Sequence, residues 1–347
     1  MLINVGTHDI IIEKNSLENI NNFINFNDFS NIIILTDENV ADNDWLKKLS
    51  NALPKENYNL IIKSGEKHKN LDTVANIWKI MNNYKLDRKS LLINLGGGVV
   101  SDLGGFCAST YMRGIKFLNI PTTLLSQIDA SVGGKTGFDF NNCKNLIGTF
   151  TEPYKVIIDS STLSTLPKRE FNSGMAEVIK YGIIYDKDFF NYLENENIDI
   201  DYVIKKCCEI KAEIVNKDFE ENGLRKILNF GHTIGHSIEI LSLETKNPLL
   251  HGEAVALGIL AISYIANKIG KINDVVFKKI KNLLKKYNLP ITYNGLNVDE
   301  IYNFIFKDKK IVAGKVKFVL PEGIGSFNFD IELEKDIVKN GIGFILE

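Results

Sequence analysis

Short β-rich runs alternating with helical ones through the first half of the chain constrain its fold more than any other feature. The runs at 31–37, 58–66, 90–98, 116–123 and 154–160 are strand candidates that end in or near Gly, Asp, Ser or Thr, and 71–84 between them has helical periodicity. Strands that alternate with helices are joined by crossovers, so they build a parallel sheet whose ligand crevice lies at the carboxyl ends of the strands. The opening MLINVGTHDIII has no basic segment ahead of its apolar run and carries Asp9 within it, so it reads as a first strand and not a secretion signal.

From about Lys168 the pattern turns helical, with candidates at 170–185, 201–217, 230–243, 253–269 and 275–287 and a strand-like pair, KVKFVL and IGSFNF, near the end. The expected division is an α/β domain with a mainly parallel Rossmann-like sheet over residues 1–167 and a mostly α-helical domain over 168–347, with a cleft between them. A chain of 347 residues is long enough for both, at roughly 150 residues per domain. Its net charge of −2 gives no field that would draw nucleic acid or an anionic membrane, so any anionic ligand needs a local basic cluster. The longest apolar run, 254–266, is shorter than the ~20 residues of a membrane span, and the four cysteines have no C-x-x-C spacing. A cytoplasmic protein with reduced thiols is expected, Cys107 and Cys207 filling core space.

Four motifs could carry chemistry, each with a plainer reading. Gly96, Gly97 and Gly98 follow a strand and precede a helix, an arrangement that lets backbone approach a pyrophosphate, or simply a tight turn. It is not G-x-G-x-x-G, since Ser101 holds the last position. Asp37 at the end of its strand could accept both ribose hydroxyls and would repel a 2′-phosphate, which favours NAD over NADP. GGKT at 133–136 lacks the upstream glycine of a phosphate loop, because Asp129 stands there, leaving Lys135 and Lys144 as candidate anion ligands or solvated surface. Glu177 and Lys180, three apart on one helical face, most often would be a surface ion pair. The stretch 229–254 holds three of the five histidines, His232, His236 and His251. His232 and His236 share a helical face, and are either core histidines or part of a metal site; a carboxylate with two imidazoles makes a common catalytic zinc set.

Beyond these motifs, LGGGVVSDLGGF, IPTTLLSQIDASVGGKTGFDFNNCKNLIGTF, FNSGMAEVIKYGI, GLRKILNFGHTIGHSIE and HGEAVALG together resemble the 3-dehydroquinate synthases, sugar phosphate cyclases of the shikimate pathway. The resemblance spans almost the whole chain and implies NAD, one zinc with cobalt as the alternative, and a homodimer. It implies Glu177, His232 and His251 as metal ligands. For NAD it implies Asp37, Asn39, the SGEKHK turn (Ser64, Gly65, Glu66, Lys67, His68, Lys69), the loop Gly97, Gly98, Val99, Val100, Ser101 and Asp102, then Thr122, Thr123, Leu125, Lys135, Lys144, Thr162 and Thr165. For substrate it implies Asp129, Lys135, Asn145, Lys180, Lys211, Arg225, Asn229 and His236, with Arg113 reaching a neighbouring subunit's site and either Lys309 or Lys310 of the DKK motif, between which the motif does not choose.

The implied substrate is 3-deoxy-D-arabino-heptulosonate 7-phosphate. The implied course is transient oxidation at C5 by NAD, β-elimination of phosphate, return of the hydride and an intramolecular aldol closure. His236 is the expected proton shuttle, Lys211 and Arg225 the carboxylate contacts, and Lys135, Asn145, Asn229, His236, a DKK lysine and Arg113 the phosphate contacts. The segment between His236 and His251 is a few residues longer than the family pattern. Rival readings are a valiolone-type cyclase, a metal-dependent polyol dehydrogenase, which would accumulate NADH, and a binding module without turnover.

Overall fold

A computed structural model describes residues 1–141, 143–306 and 316–346. The chain forms two compact units, Met1–Pro167 with Ile200–Glu220, and Lys168–Asp199 with Glu221–Glu347. Among the described residues no helix is long and apolar enough to cross a membrane.

The first unit is built on strands β1 (Leu2–Val5), β2 (His8–Ile12), β3 (Ile32–Asp37), β4 (Tyr58–Ile62), β5 (Leu91–Gly96), β6 (Lys116–Pro121), β7 (Lys135–Phe140), β8 (Cys143–Phe150) and β9 (Lys155–Ile158). Seven of them form one sheet in the order β1-β2-β9-β6-β5-β3-β4. All its pairings are parallel except that of β1 with β2, so the N-terminal segment is a hairpin where the sequence suggested one strand. The near-continuous apolar runs of β3 and β5 are explained by cover on both faces. Ile32, Ile34, Leu91 and Ile93 point into a core with Phe26, Trp45 and Leu49, while Ile33, Leu35 and Leu92 meet Val74, Ile77, Leu103 and Phe106 on the other side.

From β3 the chain steps outward to β4, then returns to lay β5 on the opposite side of β3. The direction of winding therefore reverses between β3 and β5, and an open parallel sheet leaves its ligand crevice beyond the carboxyl ends of two such strands. Asp37 ends β3 and Gly96 ends β5.

β7 and β8 pair as a separate antiparallel ribbon, so GGKT opens a hairpin strand. The helix Ile200–Lys217 departs from the division expected at residue 167, because it belongs with the first unit. A π-helical turn at Ser126–Ala130 explains the attachment. Cys208 Sγ lies 3.3 Å from the Gln127 carbonyl, and Lys211 Nζ donates to the Asp129 carbonyl at 2.6 Å and pairs with the Asp129 carboxylate.

The second unit is helical, with a small hairpin of β10 (Phe318–Gly323) and β11 (Ser326–Ile331). Its central helix, His251–Lys268, is buried on nearly every face. Glycines set how closely other helices approach it. A Cβ at Gly258 would stand 1.9 Å from the Gly231 carbonyl oxygen, and one at Gly252 would stand 1.8 Å from that of Ser173. The helices His232–Ser242 and Lys168–Ile184 thus meet the central helix backbone to backbone.

Candidate active site

Those two crossings bring Glu177, on Lys168–Ile184, against the first residues of two other helices, His232 and His251. Glu177 Oε1 lies 3.2 Å from His232 Nε2 and 3.6 Å from His251 Nε2. The Lys180 ammonium is in direct contact with Glu177 Oε2 and donates to the Leu228 carbonyl at 2.9 Å. Both Glu177 and Lys180 are buried, so this is no surface ion pair. Neither Glu177 oxygen accepts a hydrogen bond of ordinary geometry. A fully buried carboxylate with that deficit, flanked by two imidazole nitrogens, has the donor set of a divalent metal site, and the residues fit such an ion.

Burial raises the Glu177 carboxyl, but Lys180 and His232 outweigh it and hold the group well below the usual carboxylate range. Burial lowers His232, with Glu177 opposing. At His251 burial also acts downward, yet Glu239 and Glu177 push the imidazole up to about 10. The ring nitrogens turned away from Glu177 are engaged: His232 Nδ1 lies 3.0 Å from the Phe230 carbonyl, and His251 Nδ1 lies 3.1 Å from Glu239 Oε2. His236 joins the group from the helical turn after His232, with ring centroids 5.1 Å from His232 and 5.7 Å from His251. One nitrogen of each of the three histidines lies within 4.8 Å of the others. In the same unit Arg225 is buried and the Asn229 amide pairs with Glu221.

The first unit gathers the residues expected at a dinucleotide. Asp37 is half-buried and its Oδ1 accepts from Val40 N at 3.1 Å, so it also caps a short helix; desolvation raises its carboxyl. Asn39 beside it is exposed. Gly97 is the N-cap of Gly98–Thr110 with no side chain closing that end, which leaves the amides of Val99 and Val100 turned toward the crevice side of β5. Cβ atoms on Gly97 and Gly98 would lie 3.2 Å from Thr123 and 3.3 Å from Ala130, so the turn is closely packed as well as open to a ligand. The buried hydroxyls of Ser101 and Thr122 have no hydrogen-bond partner at this end of the sheet. By contrast Thr123 is bonded to Ser126, Thr162 is taken up by Gln127 and the Asp159 carbonyl, and Thr165 accepts from Trp45. Leu125 caps the π-helical turn.

Lys69 is buried and holds this region together. Its ammonium lies 2.6 Å from Asp102 and 4.0 Å from Glu66, and it donates to Asn145 on the β7–β8 ribbon. Burial opposes its charge, but Asp102 and Glu66 raise it overall. Lys144 lies 3.2 Å from Glu66. Of the SGEKHK turn, Gly65 has φ 99°, Ser64 and His68 are half-buried and Lys67 is exposed. Lys135 is exposed at the start of β7. Asp129 Oδ1 pairs with Lys211, itself buried. Arg113 stands exposed in a turn where Met112, Arg113 and Gly114 all have positive φ. Lys309 and Lys310 lie outside the described residues. Glu239 is the site residue the sequence reading passed over; its signal was its place seven residues after His232, two turns along the same face.

The comparisons with known proteins agree in kind. The N-terminal domain family of 3-dehydroquinate synthase matches residues 59–173 and the C-terminal domain family matches residues 174–311. A 3-dehydroquinate synthase of Ruminiclostridium cellulolyticum is 44% identical over 313 residues, 87% of this chain and 86% of that one. Among solved structures, 2-epi-5-epi-valiolone synthase from Streptomyces hygroscopicus subsp. jinggangensis, with NAD+ and Zn2+ bound, superposes with a TM-score of 0.89 at 25% identity, covering 99% and 98% of the two chains. A 2-deoxy-scyllo-inosose synthase, complexed with carbaglucose-6-phosphate, NAD+ and Co2+, has the same fold, with a TM-score of 0.86, 24% identity and 99% of each chain covered.

Proposed function

This chain belongs to the 3-dehydroquinate synthase family, and from that premise we propose that it converts 3-deoxy-D-arabino-heptulosonate 7-phosphate to 3-dehydroquinate and phosphate. The reaction runs by oxidation at C5, phosphate elimination, re-reduction and intramolecular aldol closure, with no net redox change. The observation that carries this reading is the buried Glu177 carboxylate facing His232 and His251 with His236 beside them.

Glu177, His232 and His251 would hold zinc or cobalt, a choice the donor set leaves to availability. NAD would lie over Gly97–Asp102, with Asp37 and Asn39 at the adenosine ribose, the SGEKHK turn alongside, and the unpartnered hydroxyls of Ser101 and Thr122 offering it further contacts. Thr123, Leu125, Lys135, Lys144, Thr162 and Thr165 would complete its surroundings. When bound, NAD would supply a reversible hydride acceptor, and the metal would supply a Lewis acid for a ring hydroxyl and for the ketone made from it.

The remaining work belongs to side chains. His236 moves the C5 hydroxyl proton, since an imidazole can both take and give a proton. Lys180, tied to Glu177 and the Leu228 carbonyl, puts a fixed positive charge beside that hydroxyl. Lys211 and Arg225 receive the substrate carboxylate, Arg225 with its forked donors. Asp129 already pairs with Lys211, so an incoming carboxylate competes for an ammonium that is held in place. Lys135, Asn145, Asn229, one of Lys309 and Lys310, and Arg113 from a second subunit receive the phosphate. The exposed Arg113, on its left-handed turn, supports that homodimer. Unpaired thiols at Cys107, Cys143 and Cys208 support a cytoplasmic location.

The test is phosphate release from the heptulosonate phosphate by protein supplied with NAD and zinc. Stoichiometric phosphate and carbocycle without accumulating NADH are expected; NADH build-up or no release overturns the reading. Glu177→Ala should lose both zinc and turnover.

A further inference from the structure

Both imidazoles at Glu177 are held by the nitrogen that faces away from it. The two partners, the Phe230 carbonyl at 3.0 Å and Glu239 Oε2 at 3.1 Å, can only accept a hydrogen bond when the carboxyl is ionised. Each Nδ1 therefore carries a proton, which leaves Nε2, the nitrogen facing Glu177, as the one each ring can offer to an ion. The two anchors differ in kind. The Phe230 carbonyl is backbone, fixed two residues before His232 by the chain itself. Glu239 is a side chain, only 6% exposed, brought to His251 from another helix. A carboxylate is costly to bury unless charge or hydrogen bonds repay it, and what Glu239 meets at His251 is a ring whose other nitrogen belongs to the metal cluster. His232, His236 and Glu239 stand at i, i+4 and i+7, so one face of the helix His232–Ser242 presents a ligand, a proton carrier and an anchor for the ligand opposite.

We infer that Glu239 is a positioning residue of the metal centre: its carboxylate takes the Nδ1 proton of His251, fixes that ring's tautomer and angle, and makes Nε2 a better donor to the ion. Glu239 does not itself bind the metal, because it approaches His251 on the side away from Glu177. The inference rests on the metal reading above. Orienting carboxylates of this kind typically change metal affinity about 10–100-fold when removed.

The experiment is a zinc titration of the full chain against a chromophoric chelator, with native protein, Glu239→Ala, Glu239→Gln and Glu177→Ala. A cobalt-substituted spectrum accompanies each. Glu239→Ala should bind zinc about 10–100-fold more weakly and shift the cobalt bands. Glu239→Gln, which keeps the acceptor and loses the charge, should fall between it and native, and carries the test if the alanine variant does not fold. A merely structural Glu239 would lower the urea midpoint of the metal-free protein and leave zinc affinity within twofold of native, and that result overturns the inference. If Glu177→Ala loses zinc while both Glu239 variants keep native affinity, the inference alone falls. If native protein binds no zinc, the metal reading falls with it.

Discussion

At the scale of single residues, the site separates groups by what surrounds each one. Glu177 is a buried carboxylate kept ionised by Lys180 and His232 after burial has raised it; His232 and His251 lie 3.2 and 3.6 Å from its Oε1, and His236 joins them with its ring centroid 5.1 Å from that of His232. His236→Ala should therefore keep its zinc while turnover drops by about 10²–10⁴, the usual size of a lost proton-transfer group; zinc content and phosphate release measured on the same sample check it, and loss of the metal would return His236 to the ligand set. The cysteines divide by burial as well. Burial pushes the Cys107 thiol far up and the Cys208 thiol up to about 12, and Cys207 is also buried, while Cys143 is half-buried on the ribbon. Since thiolates react and thiols do not, a disulfide dye should modify Cys143 within minutes on native protein and reach the other three only in denaturant. Rapid modification at Cys207 or Cys208 would show that their helix opens readily.

Among elements, the helical crossings govern the chemistry because the candidate ligands begin their helices close to the contact points. Gly231 lies one residue before His232 and Gly252 one after His251, and Gly258 meets the Gly231 carbonyl with no room for a methyl group. Gly258→Ala must push His232–Ser242 off the central helix. We expect it to cost about 1–3 kcal/mol, as overpacking does, with a lower urea midpoint and weakened zinc binding measured together. A variant that lost stability but kept native zinc affinity would show that the ligand spacing is set elsewhere. The sheet works by the same kind of restraint. Gly104 lets the helix Gly98–Thr110 sit directly on Asn94, where a Cβ would fall 1.9 Å from its amide oxygen, so the N-terminus behind the Gly97 turn is held against β5.

For the whole molecule the expectations concern linkage and assembly. An ion bound only by the folded chain stabilises it by RT ln(1 + [L]/Kd), about 2.7 kcal/mol at a hundredfold excess over Kd. Stripping zinc with a chelator should lower the thermal midpoint of native protein and leave Glu177→Ala unmoved. If Arg113 serves a neighbour, mixing inactive Arg113→Ala and Glu177→Ala subunits should restore activity. Random pairing of a two-fold dimer gives one sound site in half the assemblies, or about a quarter of native turnover. No recovery after confirmed exchange would place Arg113 outside the site.

Periodicity in the sequence was enough to read the parallel sheet, the glycine turn at the end of β5, the helices of the second half and, through motif resemblance, the family. These depend on residues near one another in the chain, where apolar spacing and turn chemistry decide the local structure. Even there the N-terminal hairpin was missed because its two strands are only four and five residues long and separated by two residues, and the β7–β8 ribbon because glycine and polar residues interrupt its apolar pattern. Tertiary structure alone decided that Ile200–Lys217 belongs to the first unit, since Cys208 and Lys211 bond to the π-helical turn and Asn216 to the N-terminal hairpin, all far away in sequence. It also decided that the Glu177–Lys180 pair is buried and that Glu239 stands behind His251. Spacing can put two side chains on one face of one helix, but which face of another helix they meet is set by close contact between backbones far apart in sequence.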